Sequence, residues 1–102
     1  MNIMRKYSGE FPIAVHPGKV LQEMLDERGV TQLRLAKHLR TDAARVNEIC
    51  RGRRGISATM AVLLAKAFAT STALWMNLQK NWELSQVDPR TVKHIRPLRA
   101  SA

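Results

Sequence analysis

From Pro17 onward, apolar residues recur at helical spacing in five short runs, set apart by polar or glycine-bearing breaks. Proline suits a first helical turn, where a missing N–H costs nothing, and Val20, Leu21, Met24 and Leu25 follow at i, i+1, i+4 and i+5. Gly29 can take the left-handed position that ends this first helix. Thr31 suits the N-cap of a second, in which Leu35, Ala36 and Leu39 share a face. Asp42 caps a third, with Val46 and Ile49 pointing inward and Gly52 at its end. Ser57 caps a fourth, whose stripe is Met60, Leu63, Leu64, Ala67 and Phe68; a fifth begins near Ser71 and carries Leu74, Trp75, Leu78 and Trp82. Asp88-Pro89 then breaks the pattern. Before Pro17 no period is sustained, although Ile13-Ala14-Val15 has the character of an extended phrase. The expected architecture is all-α: one five-helix domain over residues 17–87, an N-terminal arm over 1–16 and a C-terminal tail over 88–102.

The second and third runs carry the functional expectation. Only Arg40-Thr41 separates the second helix from the cap of the third, so the two meet at a tight turn. Ala36 sits where a side chain no larger than methyl lets two short helices cross closely, as a helix-turn-helix requires. Such a unit presents its second helix to the major groove of DNA while its first crosses the backbone. The totals agree: 102 residues suffice for one small domain, and 45% hydrophobic content fits a folded helical domain rather than a disordered basic chain.

The formal net charge of +9 sharpens the picture through its distribution. Residues 1–30 and 55–88 each balance acids against bases. Residues 31–54 hold Arg34, Lys37, Arg40, Arg45, Arg51, Arg53 and Arg54 against Asp42 and Glu48, and residues 89–102 add Arg90, Lys93, Arg96 and Arg99 with no acid. Gln32, Arg34, Lys37, Arg40, Arg51, Arg53 and Arg54 are the expected phosphate contacts, which give salt-dependent affinity without sequence information. Base readout then falls to the third helix. Ala43 and Ala44 offer methyl contact with thymine, Arg45 can pair with guanine or a phosphate, and Asn47 with adenine or a phosphate. Glu48 can accept from cytosine N4 but repels phosphates if misplaced.

Leu74, Trp75, Leu78 and Trp82 bring much apolar area to the end of a small domain. They either cover the monomer core or form a dimer interface, and the residues alone leave both readings open. Glu23, Asp26 and Glu27 form the densest acidic patch, a solvated face or a landing site for a basic partner. Enzyme chemistry is not expected. His16, His38 and His94 lack metal-ligand spacing, and Cys50 has no second cysteine for zinc or a disulfide, so neither metal nor cofactor is anticipated. No apolar run approaches the length of a membrane span, and MNIMRKYSGE lacks the apolar region of a secretory signal, which points to a cytoplasmic protein without a membrane partner.

The phrases HPGKVLQEML at 16–25, TQLRLAKHL at 31–39, NEICRGRRGIS at 47–57 and MAVLLAKAFATSTALWMNLQKNWEL at 60–84 resemble the HigA-type antitoxins of the XRE, or lambda-repressor-like, helix-turn-helix family. The resemblance implies a lambda-repressor-like DNA-binding fold and a homodimer that represses its own operon at a palindromic double-stranded operator. It also implies neutralisation of a RelE/HigB-like messenger-RNA-cleaving toxin, for which Glu23, Asp26 and Glu27 are the acidic surface on offer. The alternative is a free-standing regulator of the same fold with no toxin. Relatives usually carry glycine where this chain has Arg40, and a left-handed backbone there costs about 1–2 kcal/mol more for a side chain with a Cβ.

Overall fold

The computed structural model describes residues 15–99, so Ile13, Ala14 and the rest of the arm before them lie outside the described residues. The five expected helices form: α1 (Pro17–Arg28), α2 (Gln32–Leu39), α3 (Ala43–Cys50), α4 (Ala58–Phe68) and α5 (Thr72–Ser85). Among the described residues there is a sixth, the single turn α6 (Pro89–Val92), where five were expected. Pro89 does more than break the pattern. It occupies the first position of α6, where its missing N–H is harmless, and the Asp88 carboxylate accepts from the Arg90 N–H at 2.9 Å.

Short polar side chains start the helices by taking N–H groups that have no partner within the helix. Thr31 Oγ1 accepts from Arg34, Ser57 Oγ from Met60 and Ser71 Oγ from Leu74, each at 3.1 Å. Asp42 departs from expectation: its backbone has the extended cap conformation, but its carboxylate makes no capping hydrogen bond to α3.

Four helices end on a common device. A left-handed residue turns the chain, and the next N–H reaches back to a carbonyl five residues earlier. Val30 donates to Leu25, Thr41 to Ala36, Arg53 to Glu48 and Thr70 to Ala65, all at 2.9 Å. The left-handed residues are Gly29, Arg40, Gly52 and Ala69, so two closures place a Cβ where glycine is at ease.

The helices enclose one core, in which α1 packs on α3 and α5, α2 on α3, and α4 on α5. Val20, Leu21, Met24 and Leu25 of α1 meet Leu35, Ala36 and Leu39 of α2, Val46 and Ile49 of α3, and Trp75 and Leu78 of α5. On α4 the buried stripe is Met60, Ala61, Leu64, Ala65 and Phe68, with Leu63 and Ala67 only half-buried. The buried face is thus rotated toward the two small alanines, Ala61 and Ala65. Trp75 is fully buried, and its indole N–H is satisfied by Thr70 Oγ1 at 2.9 Å. Trp75 and Leu78 therefore belong to the monomer core and cannot face a partner. Of the four residues placed at a dimer interface, only Leu74 and Trp82 keep partial exposure.

The tightest approach is backbone on backbone. A Cβ on Gly18 would stand 1.7 Å from the Ile49 carbonyl oxygen, so α1 can press its first turn on the end of α3 only with glycine there. Gly18→Ala is expected to lose about 2–3 kcal/mol by forcing those helices apart. Ala69→Gly, which relieves a left-handed Cβ, should gain about 0.5–1 kcal/mol. Urea unfolding of both variants checks the two signs; equal effects would contradict the distinction between crowding and strain.

Candidate nucleic-acid interface

The interface is assembled from the second half of the helix-turn-helix and the loop behind it. On α3, Ala43, Ala44 and Arg45 are all exposed, and Val46 and Ile49 hold the opposite face in the core. Asn47 and Glu48 are half-buried and already engaged. Asn47 Nδ2 donates to Gln32 Oε1 at 3.0 Å, Gln32 Nε2 to Gln22 Oε1 at 2.7 Å, and Gln22 Nε2 to Asp26 Oδ1 at 2.8 Å. This amide relay ties α3 through α2 to α1. Its direction is set at one end, because a carboxylate can only accept and each amide passes on one donor and one acceptor. Gln32, expected at a phosphate, thus has its oxygen committed to Asn47 and one amide hydrogen to Gln22; one hydrogen remains for an anion.

Glu48 is paired with Arg54, Oε2 to Nε at 2.9 Å, with both side chains nearly half exposed. A pair this accessible contributes little stability, on the order of 0–1 kcal/mol. Its larger effect is electrostatic: it neutralises the one acid on the exposed side of α3 and fixes the reach of Arg54. Arg51 and Arg53 are exposed on the same loop, and Lys37 and Arg40 are exposed at the end of α2. Arg34 lines a separate groove of about 500 Å³ with Arg28, Lys37, His38 and Phe68, where the Arg28 guanidinium lies 5.1 Å from the Phe68 ring centre.

Two polar residues not singled out by their spacing hold the arginine loop in place. Gln79 of α5 is buried; its Oε1 accepts from the Ile56 N–H and its Nε2 donates to Glu83 Oε1, both at 2.7 Å. Gly55 leaves room for that amide, since a Cβ there would stand 2.7 Å from Gln79 Nε2. At the other end of the loop, His16 Nδ1 accepts from the Gly18 N–H at 2.9 Å and so caps α1. Its ring meets Trp82 edge-on with centroids 5.3 Å apart, and it borders Gly52. The phrases HPG and LQ were the available signals, but neither announces a tertiary partner.

The acidic residues of α1 are differently placed. Glu23 is half-buried, whereas Asp26 and Glu27 are exposed, with Asp26 serving the relay. Asp26 also acts on Cys50, whose thiol is pushed up to about 11, mainly by burial and then by that negative charge. Cys50 is therefore a packed thiol rather than a nucleophile.

The chain belongs to a helix-turn-helix family whose profile matches residues 21–75. This family, of XRE type, is one of DNA-binding regulators and antitoxins rather than enzymes. Among solved structures, the antitoxin HigA of Pseudomonas aeruginosa, determined with the higBA promoter, is 38% identical with a TM-score of 0.78, covering 85% of this chain and 100% of its own. A HigA-family addiction-module antidote protein from Coxiella burnetii is 33% identical with a TM-score of 0.72, covering 83% and 98%. Virulence-associated protein I of Dichelobacter nodosus is 36% identical over 92 residues, 87% of this chain and 85% of that protein. Among the described residues, no helix is long and apolar enough to cross a membrane.

The His16 cap gives the fold a pH dependence. Burial holds the imidazole below its usual 6.5, so the unfolded chain binds this proton more tightly than the native one. The contribution is complete above pH 6.5 and declines as the pH falls below it. Urea unfolding at pH 7.5 and at pH 5.5, both within about a unit or so of a histidine's ordinary range, should show the loss in the wild type. His16→Asn, which keeps a capping acceptor without a titrating ring, should flatten it; an equal decline in both proteins would assign it elsewhere.

Proposed function

We propose that this protein is an antitoxin that represses its own operon by binding a palindromic operator as a homodimer and neutralises a RelE/HigB-like toxin. The observation that carries the DNA half is the exposed Ala43-Ala44-Arg45 edge of α3, bordered by Arg51, Arg53 and Arg54 and backed by a rigid core. Arg45 is the main hydrogen-bonding reader, Ala43 and Ala44 supply apolar contact, and Asn47 and Glu48 contribute only what their existing partners leave free. Arg40, Arg51, Arg53 and Arg54, with the remaining Gln32 hydrogen, grip phosphates; Arg34 and Lys37, which line the separate groove, stand to one side of them. A cytoplasmic regulator working at its own promoter is the reading that likeness to HigA-type antitoxins supports.

The dimer face is better sought on the outer side of α5. Met76, Lys80, Glu83, Leu84 and Val87 border a hollow of about 410 Å³ together with Ile56 and Gln79. Leu84 and Val87 remain about half or more exposed, at 64% and 48%. Lys80 and Glu83 between them give this patch both signs of charge, as a two-fold interface that meets itself requires. The toxin half rests on likeness to HigA-type antitoxins, with Glu23, Asp26 and Glu27 as the surface suited to a basic partner.

Selection from a randomised duplex pool tests the DNA assignment. Arg45→Ala should alter the selected sequence, with about 1–3 kcal/mol lost at one base pair, whereas Arg53→Ala should weaken all sequences alike. A pool that yields no motif would sink operator recognition. Leu84→Glu with Val87→Glu should convert dimers to monomers in native mass spectrometry and lower operator affinity at least about tenfold, because the half-sites would no longer be linked. Co-purification with the product of an adjoining gene, expressed together with this chain, tests the toxin half; a protein that purifies alone would leave a free-standing regulator.

A further inference from the structure

The base of the basic tail and the end of the arginine loop, far apart in sequence, meet at one hollow in the fold. The end of α5 and the residues just after it border the arginine loop at both ends: Trp82 reaches it through His16 beside Gly52, and Leu84 and Val87 share a hollow with Ile56. The tail therefore departs within a few residues of Arg53 and Arg54. Every residue from Pro89 to Arg99 is exposed, and the apolar residues of this stretch, Val92, Ile95 and Leu98, are not folded back on the core.

Its four cations are not equivalent. Arg90 is held by Asp88, with Nη2 3.0 Å from Oδ2 and Nε 3.2 Å from both carboxylate oxygens. This clamp closes α6 and spends the charge of Arg90 locally. Lys93, Arg96 and Arg99 pair with no carboxylate among the described residues. They lie on a segment that, extended at roughly 3.3–3.6 Å per residue, reaches about 25 Å beyond the end of α6. That is about two-thirds of one turn of duplex DNA, which is about 34 Å.

We propose that the tail is a second DNA-binding element, in which Lys93, Arg96 and Arg99 follow the phosphate backbone beyond the helix-turn-helix footprint and Arg90 instead anchors the tail's base. The proposal rests on the DNA-binding reading. A polyanion is the partner that fits, because the tail leaves the fold beside the end of the arginine loop with the same sign of charge, and a continuous row of phosphates can engage both. The tail adds affinity on any sequence and leaves base choice to α3.

The test uses the full chain and a fluorescein-labelled random-sequence duplex of about 30 base pairs, long enough for the helix-turn-helix site and the tail's reach. Affinity is measured by anisotropy across salt concentrations. Each phosphate that a cation neutralises adds about 0.9 to the slope of log affinity on log salt. That slope should therefore be shallower by about 2–3 in the triple variant Lys93→Gln, Arg96→Gln, Arg99→Gln than in the wild type. Between about 50 and 200 mM salt the wild type should accordingly lose roughly 40-fold more affinity than the variant. Arg90→Gln should leave the slope unchanged. Thermal melting should be the same for all three proteins, since the substituted residues are exposed. Equal slopes for wild type and triple variant overturn the tail's role while leaving the helix-turn-helix reading intact; a wild type that fails to bind the duplex at the lowest salt overturns the reading beneath it.

Discussion

The contact on which this architecture depends is the seating of the first turn of α1 on the last carbonyls of α3. Gly18 makes it possible by offering no Cβ to the Ile49 oxygen, and the flanking residues exploit the closeness. Pro17 opens the helix without an idle N–H, and His16 caps it while touching Trp82 at the far end of α5. Three helices that are distant in sequence are thereby fixed around one tripeptide. The arginine loop begins at this junction and ends on the Gln79 amide, so its position follows from packing rather than from its own sequence. A rigid mount of this kind suits charges that must meet a repeating partner in register.

Much of the fold was legible because it is encoded locally. Helical periods, the capping Thr31, Ser57 and Ser71, and the closing Gly29 and Gly52 act within a few residues of themselves, and the structure uses each as its chemistry suggests. What sequence concealed was tertiary. Ala61 and Ala65 weigh little in a hydrophobic pattern, yet they are buried while Leu63 and Ala67 stand only at the edge of the core. Trp75 and Leu78 carried equal promise for core and interface until their burial decided it. Gln79 and His16 look like ordinary polar residues along the chain and become anchors only when a loop and a second helix arrive. α6 was hidden because proline both terminates and initiates helices, and only the cap before it tells which.

The candidate DNA surface was likewise half visible. The arginines stood out as a cluster, but which of the outward residues on α3 are unengaged could not be told from a helical wheel. Asn47 and Glu48 are on the expected side and are nonetheless drawn sideways, one into the amide relay and the other to Arg54. In the DNA reading this narrows direct recognition to a short edge and makes the rest of specificity a matter of spacing between two copies and of DNA shape. The relay also ends on Asp26, so an acid placed on the surface expected for a protein partner is chemically continuous with the helix expected to read bases.

The closures at Arg40 and Ala69 bear on lifetime. Each holds a left-handed backbone beneath a Cβ, at a cost on the order of 1 kcal/mol that glycine would avoid. The folded domain is therefore less favoured over its opened forms than its helices and core would permit. Cleavage by a protease that samples those forms follows their population, which rises about fivefold for each such increment. Two residues at helix ends, Arg40 and Ala69, thus help set how long the protein persists once made.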